Sequence, residues 1–484
     1  MKYILSFCLL LGSLTLQAKD YPASLFGIYS DGVTLNTRSI QYAIDHIHQN
    51  GGGRLVFYVG RYLTGSIHLK SNVTIHLEEG AVLLGSLNPF DYDRKVWTAL
   101  VFAHNQENIG ITGKGVIDGQ GRYLARNVVT MIQKGLIKDL FRYDRPEAEA
   151  RAVLIYFREN KNVGLTDVTL KNSASWVQIY DQCKNVKLDH IAVDSKAYWN
   201  NDGIDIVDCD GVQVLNSFID ASDDGICLKS HDASKVCQNV LVRNCTVRSS
   251  ANGIKFGTAT YGGFRHIQLY NVKVYDTYRS AVTLAAVDGG FVEDVEVDSL
   301  KAYNTGNAIF LRIGERVKGK KGRMENIRIS NLYAEIPATK PDAGYEYEGP
   351  IEDMPRNISP SGITGMPDAL ISNVVLQNIE LVFPGGGTPH FAQVLTNELD
   401  KVPEKATSYP EFSMFGELPA WGFYIRHAKN VTMTNVTLTC QKKDYRQAVV
   451  LDDVHQSNFT GLKVNEPGKK KPVFVYKSTD VKVP

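Results

Sequence analysis

The stretch KNVGLTD (161–167) recurs along the chain, for example as KNVKLDH (184–190) and DGVQVLN (210–216). In each copy a polar residue, usually asparagine, precedes an apolar residue that opens an alternating apolar and polar run. The opening apolar residues between Val163 and Ile327 lie 23 to 32 residues apart, a period typical of solenoids. Further copies are SNVTIHL (71–77), ENIGITG (107–113), QNVLVRN (238–244), RHIQLYN (265–271), EDVEVDS (293–299), ENIRISN (325–331), SNVVLQN (372–378) and KNVTMTN (429–435).

The pattern between these copies predicts the fold class. Short stretches of period two alternate with asparagine, aspartate or glycine, without the helical periodicity that would indicate a helical or leucine-rich solenoid. We therefore expect an all-β protein, a right-handed parallel β-helix. Cys183, Cys209 and Cys237 recur at the same place in three successive units, so we expect them to stack as buried thiols rather than form a disulfide.

One helix is expected near the start of the chain. Ile40, Ala43, Ile44 and Ile47 form an apolar stripe at helical spacing. Asn36-Thr37 can cap the start of the helix, and three glycines at 51–53 stop it. Because the open end of a solenoid exposes apolar surface and strand edges, this helix is predicted to cover the first coil.

Residues 1–18 are predicted to be a signal peptide, and residues 19–484 a single domain with loop insertions near 120–150 and 335–425. A lysine precedes a short apolar run that ends at Ala18, which indicates export to a periplasm or out of the cell. No other segment is apolar enough to span a membrane. A solenoid needs no partner to fold, so a monomer is expected.

The charge balance excludes some partners. Lysine plus arginine (53) nearly equals aspartate plus glutamate (52), and the formal net charge is +1. No basic surface for nucleic acid is therefore expected. An acidic polysaccharide remains possible if local lysines and arginines bind it.

A second phrase recurs on another strand of the unit and brings carboxylates together. The aligned copies place Asp202, Asp224, Asn252 and Ser280 at one position on four consecutive coils, with Asp223 beside Asp224. Adjacent strands are about 4.8 Å apart, so mutual repulsion should leave a protonated acid beside an ionised base, as glycoside hydrolysis requires. An aspartate before glycine often only caps a turn, but two such pairs in register favour catalysis. The copies are NNDGIDIV (200–207), SDDGICLK (222–229), SANGIKFG (250–257) and RSAVTLAA (279–286).

Cationic side chains near these aspartates are candidate ligands of a sugar carboxylate. Strand alternation places Lys229 and Lys255 on the same outward surface as the aspartates, although either could be an ordinary solvated lysine. Arg279 and Arg312 are further candidates, and Asn252 joins the substrate-binding set from its place in the column. The other outward positions on these strands are Asp205, Cys227 and Thr283.

The sequence resembles glycoside hydrolase family 28, the polygalacturonase family. FGIYSDGVTLNTRSIQYAI (26–44) is similar to bacterial members, Asn200–Gly203 matches the family's Asn-Thr-Asp-Gly motif, and Asp223-Asp224 matches its Asp-Asp motif. The resemblance implies an inverting hydrolase of α-galacturonic-acid linkages in pectin, with no metal and no cofactor. By position, Asp223 would be the general acid, while Asp202 and Asp224 would activate water.

Two departures from the family pattern bear on the substrate. Ala251-Asn252-Gly253 stands where the family has Gly-His-Gly, and Thr283-Leu284-Ala285 where it has Arg-Ile-Lys. These changes favour rhamnogalacturonan or pectic oligosaccharides over plain polygalacturonate. The insertion at 335–425 could close one end of the groove, which would favour exo action.

Three other functions remain open. A polysaccharide lyase on the same fold would use calcium on the acidic cluster and Lys255 as the base. A non-catalytic carbohydrate-binding β-helix would bind without turnover. An α-L-rhamnosidase-like pectin glycosidase would use the same hydrolase scaffold on a different linkage.

Overall fold

The computed structural model describes residues 19–94, 96–139, 145–342, 359–468 and 471–484, so the predicted signal peptide lies outside it. The protein is all-β. Its strands are β1 (Asp20–Pro22), β2 (Gly53–Phe57), β3 (Gly60–Thr64), β4 (Ile67–His68), β5 (Val73–Leu77), β6 (Ala81–Gly85), β7 (Ala99–His104), β8 (Glu107–Thr112), β9 (Val116–Asp118), β10 (Val153–Arg158), β11 (Lys161–Thr166), β12 (Thr169–Lys171), β13 (Gln178–Asp181), β14 (Lys184–Asp189), β15 (Ala192–Ser195) and β16 (Ile204–Val207).

The second half of the chain continues the series. It comprises β17 (Asp210–Leu215), β18 (Phe218–Ala221), β19 (Ile226–Ser230), β20 (Cys237–Arg243), β21 (Thr246–Ser249), β22 (Ile254–Thr260), β23 (Gly263–Ala286), β24 (Phe291–Ile313), β25 (Arg323–Glu335), β26 (Ser361–Thr364), β27 (Ile371–Gly385), β28 (Ala420–Lys442), β29 (Gln447–Asn458), β30 (Leu462–Asn465), β31 (Val473–Tyr476) and β32 (Thr479–Lys482). The α-helices are α1 (Thr37–Gln49) and α2 (Gly121–Gln133), and 3-10 turns occupy Ala23–Phe26, Pro89–Asp91, Ala148–Ala150, Pro389–Phe391 and Thr396–Lys401.

The strands pair in parallel. From β2 to β22 they pair mainly with the strands three places away along the chain, whereas from β23 onward longer strands pair with strands one or two places away, as β23 does with β24. Strands β7, β10, β13, β16, β19 and β22 form one ladder. A second ladder runs through β8, β11, β14, β17 and β20, and a third through β9, β12, β15, β18 and β21. The chain therefore makes three strands per coil and stacks one coil on the next, as the repeat predicts.

The polar residue of the repeat bends the chain near the start of the second strand of each coil. Asn162, Asn185 and Asn239 have φ of 56°, 54° and 57°, and Gly211 takes the same place with φ of 79°. Asparagine tolerates this left-handed conformation, and glycine adopts it without strain. The amide of Asn185 also donates to Oδ1 of Asn162 on the neighbouring coil, over 3.1 Å. These residues are thus required at the corner of each coil and also link consecutive coils.

The core fills the interior of the coils. The inward aliphatic residues are buried in one continuous cluster that also contains the apolar stripe of α1. Cys183, Cys209 and Cys237 are buried free thiols, which confirms the prediction that they do not form a disulfide. No helix in the described part of the chain is long and apolar enough to cross a membrane.

Helix α1 lies where the sequence predicts it and ends before Gly51 and Gly52, whose φ values of 92° and 97° do not continue a helix. Asn36 precedes the helix, but its side chain does not cap it. Instead the Asn36 amide bonds the backbone of Tyr29 and Thr34. The predicted capping role of this side chain is therefore wrong.

The two irregular regions differ in kind. The region near 120–150 contains α2 and a short 3-10 turn. The region 335–425 contains β26 and β27, which continue the coils. Among its described residues, the longest stretch without strands is the segment 386–419, which we call the covering segment because it packs over the outer face of later coils.

Candidate active site

The predicted column of polar residues exists. The amides of Gly203, Gly225 and Gly253 donate to the carbonyls of Asp224, Asn252 and Ser280 on the next coil, each over 2.9 Å. Two residues after Asp202, Ile204 pairs with Ile226, which in turn pairs with Ile254. Asp202, Asp224, Asn252 and Ser280 therefore occupy one position on four successive coils, as predicted.

The glycines after these residues are required by space rather than by φ. A Cβ on Gly225 would lie 2.3 Å from Cγ1 of Val247 and 2.8 Å from the carbonyl oxygen of Gly253. A Cβ on Gly203 would lie 2.5 Å from the carbonyl oxygen of Gly225. The absence of a side chain lets the coils approach closely, and this approach brings the aspartates together.

Asp224 is the best-satisfied carboxylate of the site. Only 3% of the residue is exposed. Its Oδ1 accepts hydrogen bonds from Nδ2 and the backbone amide of Asn252 at 2.7 and 3.2 Å, and its Oδ2 accepts one from Lys255 Nζ at 2.7 Å. Burial opposes ionisation, but Lys255, Lys229 and Arg279 outweigh it and lower the pKa of Asp224 to about 2. Asp224 is therefore ionised at neutral pH.

Asp202 shares one cation with a second carboxylate. Lys229 Nζ lies 3.1 Å from Asp202 Oδ2 and 2.8 Å from Asp205 Oδ1, and it contacts the ring of Trp176 at 4.3 Å. Burial, with repulsion between the carboxylates, raises the pKa of Asp202 well above its ordinary value despite Lys229. The same causes raise the pKa of Asp205 to about 6. One ammonium cannot fully neutralise two buried carboxylates, so the pKa of each stays raised.

Asp223 is the most accessible of the three predicted aspartates, being partly exposed while Asp202 and Asp224 are buried. Its Oδ1 accepts a hydrogen bond from the backbone amide of Asp224 at 2.9 Å. Burial and the charge of Asp224 raise the pKa of Asp223, against the opposing effect of Arg279. Asp223 therefore has both the raised pKa and the access that suit a general acid.

The predicted cations reach the site in different ways. Lys229 and Lys255 are buried and paired with the aspartates. Arg279 Nε lies 3.5 Å from Glu411 on the covering segment and its guanidinium lies 5.8 Å from the ring of Tyr409. These three cations, the three aspartates and Asn252 form one cluster.

The prediction that Arg312 is a substrate ligand is wrong. It is buried, and its guanidinium donates to the carbonyls of Gly365 at 3.2 Å and Glu404 at 2.6 Å. It also donates to the carbonyl of Lys405 at 3.3 Å. Because these backbone oxygens occupy the guanidinium, Arg312 fastens the covering segment to the coils and does not face a substrate.

Three residues that contact this cluster, Asp205, Tyr409 and Glu411, are not among the predicted site residues. Asp205 was recognised as an outward position, and its alternation with buried isoleucines on both sides was the available signal. Tyr409 accepts a hydrogen bond from Lys255, and Glu411 pairs with Arg279. Nothing in the repeat could indicate these two residues, because they lie in the covering segment.

Apolar side chains flank the polar residues along the outer face of the first ladder. In register order Asp205, Cys227, Lys255 and Thr283 are neighbours on successive strands. On the early side, Ile179 belongs to an apolar cluster with Trp97, Phe102 and Tyr156, which we call the early wall. On the late side, Phe310 belongs to an apolar cluster with Tyr424, Leu399, Phe412 and Phe415, which we call the late wall.

Oxygen and sulfur atoms of Asp202, Asp224 and Cys227 lie within 4.8 Å of one another, the spacing of a possible metal site. The ammonium of Lys229 lies 2.9 Å from Cys227 Sγ, and the ammonium of Lys255 donates a hydrogen bond to Asp224. Burial raises the pKa of the Cys227 thiol well above its ordinary value. A cation would have to displace two ammonium groups, so this donor set does not fit a metal ion.

Comparison with known proteins identifies the family. The model of glycosyl hydrolases family 28 matches residues 57–277. A probable polygalacturonase of Vitis vinifera is 25% identical over 66% of this chain and 61% of its own length, and an exo-poly-alpha-D-galacturonosidase of Dickeya chrysanthemi is 27% identical over 55% and 52%. The chain thus matches about half to three fifths of the length of these relatives. The family 28 exopolygalacturonase of Yersinia enterocolitica shares the fold with a TM-score of 0.69, at 20% identity over 96% of this chain and 79% of its own. The region 57–277 therefore belongs to glycosyl hydrolases family 28, as a divergent member.

Proposed function

We propose that the protein hydrolyses α-galacturonic-acid linkages in pectic oligo- or polysaccharides, with inversion and without a metal or cofactor. The observation that carries the proposal is the opposite shift in the pKa of two neighbouring carboxylates. The pKa of Asp224 is lowered to about 2 by its cations, while burial and the charge of Asp224 raise the pKa of Asp223 beside it. Hydrolysis of a glycosidic bond uses such a pair.

In this reaction Asp223 gives its proton to the glycosidic oxygen as the bond to the anomeric carbon breaks. Asp224 takes a proton from the attacking water, whose oxygen bonds to the anomeric carbon from the opposite face. Asp202 has an oxygen atom within 4.8 Å of an oxygen atom of Asp224, so it can orient that water. The products are two sugars that together contain one added water.

The cations support an anionic substrate. Lys229, Lys255 and Arg279 surround the three aspartates, and Trp176 and Tyr409 provide aromatic rings beside the two lysines. Lys229 and Lys255 are paired with aspartates and Arg279 with Glu411, so these three cations together are the candidates to bind a sugar carboxylate. The replaced Gly-His-Gly and Arg-Ile-Lys motifs favour rhamnogalacturonan or a pectic oligosaccharide over plain polygalacturonate.

The two walls support action at a chain end. The polar residues from Asp205 to Thr283 span three strand spacings, about 14 Å. A long polysaccharide that lay along this ladder would have to pass over the late wall, where the covering segment packs against the coils. The names of the relatives from Dickeya and Yersinia also indicate exo action.

The structure weakens the lyase alternative. A lyase would need Lys255 as a neutral base, which requires a depressed pKa. Burial lowers the pKa of Lys255, but Asp224 and Tyr409 more than offset this effect and raise it. Lys255 therefore remains an ammonium and cannot accept a proton.

We also propose an architecture for the protein, a right-handed parallel β-helix whose first coil is covered by α1. The packing of α1 into the core supports this cover. We further propose that the protein is exported, works as a monomer, and binds no nucleic acid.

Product analysis by mass spectrometry tests the function. The protein is incubated with rhamnogalacturonan and homogalacturonan oligosaccharides in EDTA. Saturated products with one added water, released as single residues from one chain end, are expected. Unsaturated products would indicate a lyase, released rhamnose a rhamnosidase, and binding without turnover a carbohydrate-binding protein. Internal fragments from a long chain would contradict exo action.

A further inference from the structure

Tyr409 joins the active site from far along the chain. Its hydroxyl accepts a hydrogen bond from Lys255 Nζ, although the two residues are 154 positions apart. The Lys255 ammonium also lies 4.8 Å from the centroid of the Tyr409 ring. A phenol oxygen accepts a hydrogen bond from an ammonium, and this hydrogen bond sets the distance to the ring. Tyr409 therefore holds Lys255 in place through its hydroxyl.

The covering segment is anchored on both sides of Tyr409. Before it, the Glu404 carbonyl accepts from Arg312 at 2.6 Å, and the Glu404 carboxylate lies 3.1 Å from His427 Nε2. After it, Glu411 pairs with Arg279 at 3.5 Å. Tyr409 is thus held at a defined position against the catalytic coils.

Lys255 in turn has few acceptors. An ammonium has three N–H donors. In the described part of the chain these donors meet Asp224 Oδ2 at 2.7 Å and the Tyr409 hydroxyl. Lys255 is 2% exposed, so little bulk water can replace a lost acceptor. Removing the hydroxyl would leave the ammonium held by Asp224, in a buried place with freedom to move.

Resting on the proposed function, we propose that Tyr409 is a positioning residue that fixes the Lys255 ammonium against Asp224, so that Asp224 stays ionised as the base. Tyr409 does not need to touch the reacting atoms for this role. Its effect on the reaction passes through Lys255.

A double-mutant cycle tests this proposal. The variants are Tyr409→Phe, Lys255→Met and the two combined. Tyr409→Phe keeps the ring and removes the acceptor, so kcat is expected to fall about tenfold, the cost of one hydrogen bond, with little change in KM. In the Lys255→Met background the same substitution is expected to change kcat no further.

The control is Tyr476→Phe. Its hydroxyl donates to Asp400 on the same covering segment at 2.7 Å. This substitution should leave kcat unchanged in either background. If Tyr409→Phe lowers kcat by equal factors with and without Lys255, Tyr409 only seats the covering segment and the proposal is overturned. An unchanged kcat in Tyr409→Phe would overturn it as well.

A second readout is independent of turnover. In protein labelled with 13C-aspartate, the Asp224 carboxyl resonance should titrate at higher pH in Tyr409→Phe than in the wild type, because a mobile ammonium stabilises the carboxylate less. If no galacturonide is hydrolysed but this titration moves, the proposed function fails while the link through Lys255 holds. An unmoved titration would contradict the link.

Discussion

Lys255 donates to Asp224 over 2.7 Å from the neighbouring coil, 31 residues further along the chain. Both side chains are buried, so the pair offsets the repulsion between carboxylates that the parallel stack brings together. Stacking places carboxylates on adjacent coils, and a cation from the next coil lets one of them ionise. The catalytic asymmetry between Asp224 and Asp223 follows from this pairing.

Replacement of Lys255 should therefore destabilise the protein in a pH-dependent manner. Asp224 has a pKa of about 2 against an ordinary 3.8, so its ionisation stabilises the fold above pH 3.8, and this stabilisation is lost as the pH falls towards 2. In Lys255→Met the carboxylate remains buried without its cation, at a cost of about 3–5 kcal/mol. Denaturant unfolding should show a larger deficit at pH 7 than at pH 4.

Lys187→Met is the matched control for this experiment. Lys187 pairs with Asp189 at 3.0 Å, but its side chain is 57% exposed. An exposed pair contributes little to stability. A deficit in Lys255→Met that does not depend on pH would show that lost packing, rather than the charge of Asp224, causes the effect.

Removal of each aspartate should abolish most of the activity. Asp223→Asn removes the acid and Asp224→Asn removes the base, so each is expected to lower kcat by about 10²–10⁴-fold. Asp202→Asn should also lower kcat, because Lys229 then pairs with Asp205 alone. Initial rates of product release measure these effects, and circular dichroism checks the fold.

Asp232→Asn serves as the comparison for the three aspartate variants. Asp232 lies in an exposed turn, where its carboxylate accepts from the Ser234 amide at 2.9 Å. Its rate should equal that of the wild type. An Asp223→Asn variant with full activity would show that Asp223 is not the general acid.

The close approach of the coils at the site can be tested at Gly225. A Cβ there would meet Val247 Cγ1 at 2.3 Å and the Gly253 carbonyl at 2.8 Å. Gly225→Ala should therefore destabilise the protein by about 1–3 kcal/mol and reduce activity by moving Asp224. Gly164→Ala is the control, since nothing lies within 4 Å of its added Cβ. Equal melting temperatures for the two variants would contradict the steric explanation.

Arg312 should prove structural. Arg312→Met removes the donors to the Glu404 and Lys405 carbonyls, so the covering segment should become more sensitive to limited proteolysis. Arg328→Met is the control, because Arg328 lies on the surface with Gln377 as a partner. If Arg312→Met instead raises KM with unchanged proteolysis, Arg312 binds substrate after all.

Much of this site could be predicted from the sequence because the coil is a local and repeated structure. Asparagine or glycine at each corner and alternation along each strand set the register, and the register alone places Asp202 above Asp224. The same logic placed Lys229 and Lys255 on the correct face. It could not show that these lysines neutralise the aspartates, because pairing depends on side-chain reach and on burial.

The sequence by itself determined the stacked coils, the column of Asp202, Asp224 and Asn252, and the buried thiols. The tertiary structure alone decided which carboxylate ionises, the structural role of Arg312, and the entry of Tyr409 into the site. The physical reason is the separation along the chain of the residues that interact. Register follows from residues that are neighbours within a coil, whereas the covering segment reaches the site by packing against coils more than a hundred residues earlier, and no local pattern records that contact.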